Sequence, residues 1–180
     1  MSVARITTRY AKSLFDLAME TGQIKETKES INTLLGLTKL EDFKAFIKSP
    51  IITSTKKKEI LGAILDTRVN ELTSKFVKLL ATHGREQYLV EICHDFYTLY
   101  DAKHNIVNVS LTSASNLGEP FIEGLRAQLA TQPVLAGKQL TFHTKINPDL
   151  IGGFVVQVGD KLMDASVARR LDDTRKSFNS

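Results

Sequence analysis

Four histidines, His83, His94, His104 and His143, together with the single Cys93, are the side chains best suited to hold a metal or move a proton. Their spacing suits neither task. Adjacent Cys93 and His94 would point about 100° apart on a helix, and neither has a second histidine or cysteine at the three- or four-residue step that pairs two ligands on one face. Gly152-Gly153 and Gly159-Asp160-Lys161 offer bare amides and a lysine to an anion. A phosphate loop, however, leads from strand to helix and closes on Lys-Ser/Thr, an order absent from both stretches, so they read as a bulge and a hairpin turn. The carboxylate pairs Glu41-Asp42 and Asp172-Asp173 diverge on a helix and lack the apolar surroundings that would raise one pKa for acid-base work. Lys56-Lys57-Lys58 and Arg169-Arg170 have no interleaved aromatic residues to stack on bases and read as solvated charge. No catalytic, cofactor-binding or metal-binding constellation emerges, and no cofactor is expected.

The bulk composition agrees with a folded binding module. The chain has 180 residues, 42% of them hydrophobic, enough for a packed core in one or two domains. Its net charge of +4 is spread evenly: residues 1–104 hold 16 basic and 13 acidic side chains, and the remainder 8 and 7. Such a distribution produces no concentrated field for nucleic acid or an anionic membrane. A lone cysteine excludes an internal disulfide. No apolar run is long enough to span a bilayer, and Met1-Ser2-Val3-Ala4-Arg5 lacks a secretory core. Membrane association is therefore expected only indirectly, through partners, and a start without a presequence favours a bacterial source.

The elements that position these residues change character near Lys103-His104-Asn105. Before it, apolar residues recur at helical spacing: Ile6, Tyr10, Leu14 and Leu17; Ile31, Leu34 and Leu35; Leu40, Phe43 and Ile47; Ile60, Leu61, Ile64 and Leu65; Val69, Leu72, Phe76, Leu79 and Leu80; Leu89, Ile92, Phe96 and Leu99. Thr53 or Ser54 can cap the fourth helix, and Gly84 ends the fifth. The first and fifth helices carry a further apolar set, Ala11, Phe15 and Ala18 in one and Val69, Leu72 and Val77 in the other, wider than one packing face needs. After the boundary, Val107, Val109 and Leu111 alternate as in a strand. A helix with Pro120 in its first turn then turns Phe121, Ile122, Leu125 and Leu129 inward, and Leu140, Phe142 and Ile146 alternate again. The expected fold is α+β: an N-terminal six-helix bundle over residues 1–104, then a small α+β domain over 105–180. The second is near the size where one core supplies ~3–5 kcal/mol.

Residues 147–178 form one unit: Asn147-Pro148-Asp149-Leu150-Ile151-Gly152-Gly153 opens the strand Phe154-Val155-Val156-Gln157-Val158, Gly159-Asp160 turns it, and Lys161-Leu162-Met163 returns. Ser166 can then cap a helix with Val167, Leu171, Thr174 and Phe178 facing the sheet. With Asp164-x-Ser166-Val167 and Arg170-Leu171, this stretch closely resembles the C-terminal signature of the delta subunits of F-type ATP synthases, the family that includes the oligomycin-sensitivity-conferring protein. Arg9-Tyr10-Ala11-Lys12-Ser13-Leu14-Phe15-Asp16-Leu17-Ala18 resembles the first helix of that family, and Ser49-Pro50-Ile51, Lys58-x-Ile60-Leu61 and His83-Gly84-Arg85 fall at matching places. Ala165 departs from the glycine of many relatives but keeps a small side chain.

The resemblance implies a non-catalytic peripheral-stalk (stator) subunit, at the cytoplasmic face of a bacterial plasma membrane, linking the catalytic head of a proton-translocating ATP synthase to its membrane sector. It implies two partners: the N-terminal helix of an alpha subunit, in a groove between the first and fifth helices, and the C-terminal ends of the b subunits, on the C-terminal domain. Matching positions place Tyr10, Leu14, Leu17, Phe76, Leu79 and Leu80 at that groove, and Leu14→Asp is expected to weaken binding while leaving the bundle folded. The competing class is a small basic nucleic-acid-binding adaptor, supported by a pI near 9.1 and the lysine run.

Overall fold

Three- and four-residue apolar spacing builds six successive helices, and the change to two-residue spacing builds a sheet. The computed structural model describes residues 3–159 and 161–178. Among them it is an α+β protein of eight α-helices and one four-stranded sheet, dividing into two compact units, Met1–Tyr100 and Asp101–Ser180.

The first unit contains α1 (Val3–Glu20), α2 (Ile24–Leu37), α3 (Glu41–Lys48), α4 (Ser54–Leu65), α5 (Glu71–Thr82) and most of α6 (Leu89–Lys103). Local chemistry sets their ends. Gly22 and Gly84 take φ of +69° and +65°, the left-handed conformation that closes α1 and α5. Asn70 caps α5, its Oδ1 accepting from Thr73 N–H at 3.0 Å, and also ties α5 to α2: its own N–H donates to Ser30 Oγ at 2.9 Å and its Nδ2 to Thr27 Oγ1 at 3.1 Å. Leu14, Phe15, Ile31, Leu34, Leu61, Leu80, Ile92 and Phe96 are buried, with Phe15 and Phe96 meeting edge-on at 5.8 Å.

One expected solvent-facing charge is in this core. Lys56 and Lys58 are exposed, but Lys57 is only 5% exposed; its Nζ donates to Glu86 Oε1 at 2.6 Å and to Ile47 O at 2.9 Å. The cause is helical geometry. Lys57, Leu61 and Leu65 lie four residues apart on the inward stripe of α4, so one lysine of the run must point inward, where a carboxylate and a helix-terminal carbonyl receive it.

The second unit holds β1 (Ile106–Ser113), α7 (Glu119–Ala130), β2 (Gln139–Ile146), β3 (Phe154–Val158), β4 (Lys161–Asp164) and α8 (Val167–Phe178). The sheet order is β2-β1-β3-β4: β2 lies parallel to β1 by a crossover through α7, and the other pairs are antiparallel. Val109, Leu111 and Val156 share one face and pack with Leu125 and Leu129 of α7, Leu135 and Leu140. Phe121, though partly exposed, meets Phe154 edge-on at 5.1 Å. Ile146 departs from the expected inward alternation and is exposed.

The Gly152-Gly153 pair, expected to permit a bulge, is needed for a close crossing. Gly153 has φ of +76°, and a Cβ there would collide with the carbonyl oxygen of Ala165. Around it Ala165 N–H donates to Phe154 O and Val167 N–H to Gly152 O, each at 2.9 Å. Ser166 caps α8 as expected, accepting from Arg169 N–H at 3.2 Å, while its own N–H donates to Asp164 Oδ1 at 2.9 Å. Hydrogen bonds from Ser166, side chain first and backbone second, hold the Asp164 carboxyl below its usual range.

The stripe of α8 does not face the sheet. Leu171 is 55% exposed and Thr174 is exposed as well, because α8 meets the unit near Pro148–Leu150 and Gly152 and not over a face of the sheet. Asp160 of the expected hairpin turn and the side chain of Phe178 lie outside the described residues.

Candidate functional site

α1 carries more apolar surface than it buries. Ile6, Ala11, Leu14, Phe15 and Ala18 point into the first unit, with Thr7 among them. Ala11, Phe15 and Ala18, which the sequence offers as a surplus, are thus the packing face. The surplus that remains is Val3, Tyr10 and Leu17, spaced seven apart along one edge of the buried stripe. On α5, Phe76, Val77 and Leu80 are buried, Leu72 is half-buried and Leu79 is exposed, again seven residues apart along one edge.

The two helices meet through Tyr10 and Phe76, whose rings sit edge-to-face with centroids 6.4 Å apart. On the same helix edges Leu17 is 44% and Leu79 47% exposed, large aliphatic side chains in water. Arg9 lies 5.8 Å over the Tyr10 ring, and Lys75 is paired with Glu71 at 2.6 Å, so the surroundings are polar.

The six expected groove residues therefore divide. Tyr10, Leu17 and Leu79 reach the surface, Phe76 lies just beneath the Tyr10 ring, and Leu14 and Leu80 are enclosed in the core. Leu14 is 1% exposed, so Leu14→Asp would bury a carboxylate and disrupt the unit, contrary to the expectation that it spares the fold. Val3 was not singled out from the sequence; its seven-residue step to Tyr10 and Leu17 is the signal that marks it.

Of the potentially reactive groups, His83, His94, His104 and His143 are exposed and scattered, and Cys93 alone is placed for packing. Cys93 is fully buried, and loss of hydration pushes its thiol up to about 12, so no thiolate forms near neutral pH. Among the described residues no group of three His, Cys, Asp or Glu side chains is arranged to hold a metal ion, and no helix is long and apolar enough to cross a membrane. With Lys57 turned inward, the lysine run offers two separated cations, a poor platform for a nucleic-acid backbone.

Apolar helix edges open to solvent on a chain whose described residues hold no metal cluster suit a protein that holds other proteins. The family model described as ATP synthase delta (OSCP) subunit matches residues 6–178. ATP synthase subunit delta of Moorella thermoacetica is 32% identical over 173 residues, covering 96% of this chain and 95% of its own. The subunit delta of Beijerinckia indica is 34% identical over 175 residues, with coverage of 96% and 91%, and the chloroplastic subunit delta of Emiliania huxleyi is 33% identical over 172, with 95% and 94%. A chain from the mitochondrial ATP synthase hexamer of Toxoplasma gondii shares the fold, with a TM-score of 0.76 at 19% identity, covering 100% of this chain and 99% of that one. The chain belongs to the ATP synthase delta (OSCP) subunit family. It is a peripheral-stalk, or stator, subunit of an F-type ATP synthase, structural and not itself catalytic, and the nucleic-acid alternative finds no support.

Proposed function

We propose that the α1–α5 edge receives the amphipathic N-terminal helix of an alpha subunit of the catalytic head, and that residues 105–180 hold the C-terminal ends of the b subunits. Residues 1–104 then act as a six-helix bundle gripping the head, and the small α+β domain grips the stalk at the cytoplasmic face of a bacterial plasma membrane. The observation that carries this reading is the unpartnered apolar edge: Leu17 and Leu79 in solvent on the two helices that meet at the Tyr10–Phe76 contact. A helix laid along such an edge gains affinity from buried area, without a reactive group. Nanomolar attachment needs ~12 kcal/mol of binding, which a few buried leucines and aromatics at ~1.5–3 kcal/mol each can largely supply.

Two variants separate surface from core. Leu17→Asp combined with Leu79→Asp should weaken binding of an alpha N-terminal helix peptide to the full chain by roughly 100-fold or more, about 2–3 kcal/mol, with the thermal midpoint nearly unchanged. Leu14→Ala should instead lower folding stability by ~3–5 kcal/mol. Titration of the peptide, followed by calorimetry, reads the first; denaturant unfolding reads the second. A folded double variant with wild-type affinity removes this edge from the interface.

A further inference from the structure

A single helix, roughly 10 Å across, cannot cover a four-stranded sheet whose outer strands stand at least about 14 Å apart, so α7 leaves the flanks of the inner face open. On the β2 side the gap is continuous: open cavities of about 720 and 600 Å³ adjoin and share Glu119, Ile122 and Thr144. Phe142 and Ile146 of β2 form part of their lining.

The edge of β2 is open in backbone terms too. All eight of its residues pair in register with β1, from Ile106↔Gln139 to Ser113↔Ile146, and β2 is the outermost strand. Gln139 N–H donates to Asn105 O at 2.9 Å and Asn147 N–H to Ser113 O at 2.8 Å, so by alternation the odd-numbered residues bond to β1. Leu140, Phe142, Thr144 and Ile146 therefore direct their N–H and C=O groups away from the sheet, and the same four residues place side chains on the groove face. Natural sheets protect such edges with proline, bulges or charge. Here the charge is Lys138 just before the strand and Lys145 near its end, neither in an ion pair among the described residues and about 23 Å apart along an extended chain.

We propose that β2 is a docking edge, to which an extended segment of another stalk subunit adds as a fifth strand. Its alternate side chains enter the groove beside α7, apolar against Ile122 and Ile146 and polar beside Arg126, which lies over the Phe142 ring, and a carboxylate near each end meets Lys138 and Lys145. Main-chain hydrogen bonds supply affinity, the groove and two lysines supply selectivity. The inference rests on the reading that the second unit holds the b subunits.

The test uses the full chain and the soluble portion of the b subunit from the same organism. Binding should slow hydrogen exchange at the Leu140, Phe142, Thr144 and Ile146 amides. Thr144→Pro removes an outward N–H without removing a bond to β1, and should weaken binding by about tenfold or more. Lys138→Glu with Lys145→Glu should weaken it comparably. If Thr144→Pro fails to fold, amide protection and the lysine variant decide. Binding that leaves these amides unprotected and ignores the lysine reversal overturns the docking edge while sparing the reading beneath it; a helix seated in the cleft by Val134 and Met163 would give that result. Absence of binding by the wild-type chain overturns both.

Discussion

Lys57→Met should cost the first unit ~3–5 kcal/mol of stability, more than substitution of either neighbouring lysine. The side chains of Lys57 and Glu86 are 7% and 9% exposed, and Nζ satisfies both a carboxylate oxygen and the Ile47 carbonyl at the end of α3. Removing the cation leaves Glu86 as an uncompensated buried charge, and its other oxygen, Oε2, already lacks a hydrogen-bond partner. The loss therefore comes from the abandoned carboxylate more than from the attraction itself. A double variant, Lys57→Met with Glu86→Leu, should recover most of the lost stability because no charge then stays buried. Lys56→Met and Lys58→Met, both at exposed sites, should shift it by about 0.5 kcal/mol or less. Urea unfolding of the four proteins gives the comparison. A Lys57→Met protein as stable as Lys56→Met would show that the pair is not held in the core.

That pair also marks the limit of what periodicity reveals. The positions of the helices and the change to strands near residue 105 are readable because apolar residues repeat at 3.6 and then at two. Which face of each helix packs is less readable when the stripe is broad. On α1 the small residues Ala11 and Ala18 permit close approach and take the inward positions, displacing Tyr10 and Leu17 to the edge, although the latter are the stronger apolar residues. Lys57 and Glu86 lie 29 residues apart, so nothing local in the sequence announces that they meet. The α8 stripe shows the reverse case. Val167 and Leu171 have the spacing of a buried face, but α8 meets its unit only at its start, near Pro148–Leu150 and Gly152, so most of that face stays exposed. For a subunit whose work is to hold others, an apolar pattern left without an internal partner is where the local rules and the isolated fold part company.

Gly153→Ala should unfold the second unit selectively. The methyl group faces two separate obstacles: φ of +76°, which costs a non-glycine residue about 1 kcal/mol or more, and the Ala165 carbonyl oxygen, a backbone atom that cannot rotate aside. That carbonyl belongs to the segment joining β4 to α8, held by the Ala165–Phe154 and Val167–Gly152 hydrogen bonds, so relieving the collision means breaking the crossing. The reserve is small. Seven buried apolar residues form the core of this unit, and a unit of this size supplies ~3–5 kcal/mol in total, comparable with the combined penalty. Gly159→Ala is the control, because φ of +57° imposes a similar conformational cost while, chain neighbours aside, no atom of the described residues lies within 4 Å of the added methyl. Hydrogen exchange should therefore show β1 to β4 losing protection in Gly153→Ala, with α1 to α6 unchanged, and Gly159→Ala close to wild type. The functional consequence follows from the proposed division of labour: Gly153→Ala should lose the b subunits yet still take up the alpha helix peptide. Equal protection of the sheet in both variants would mean that the segment after β4 can shift freely, and that this crossing does not hold the second unit together.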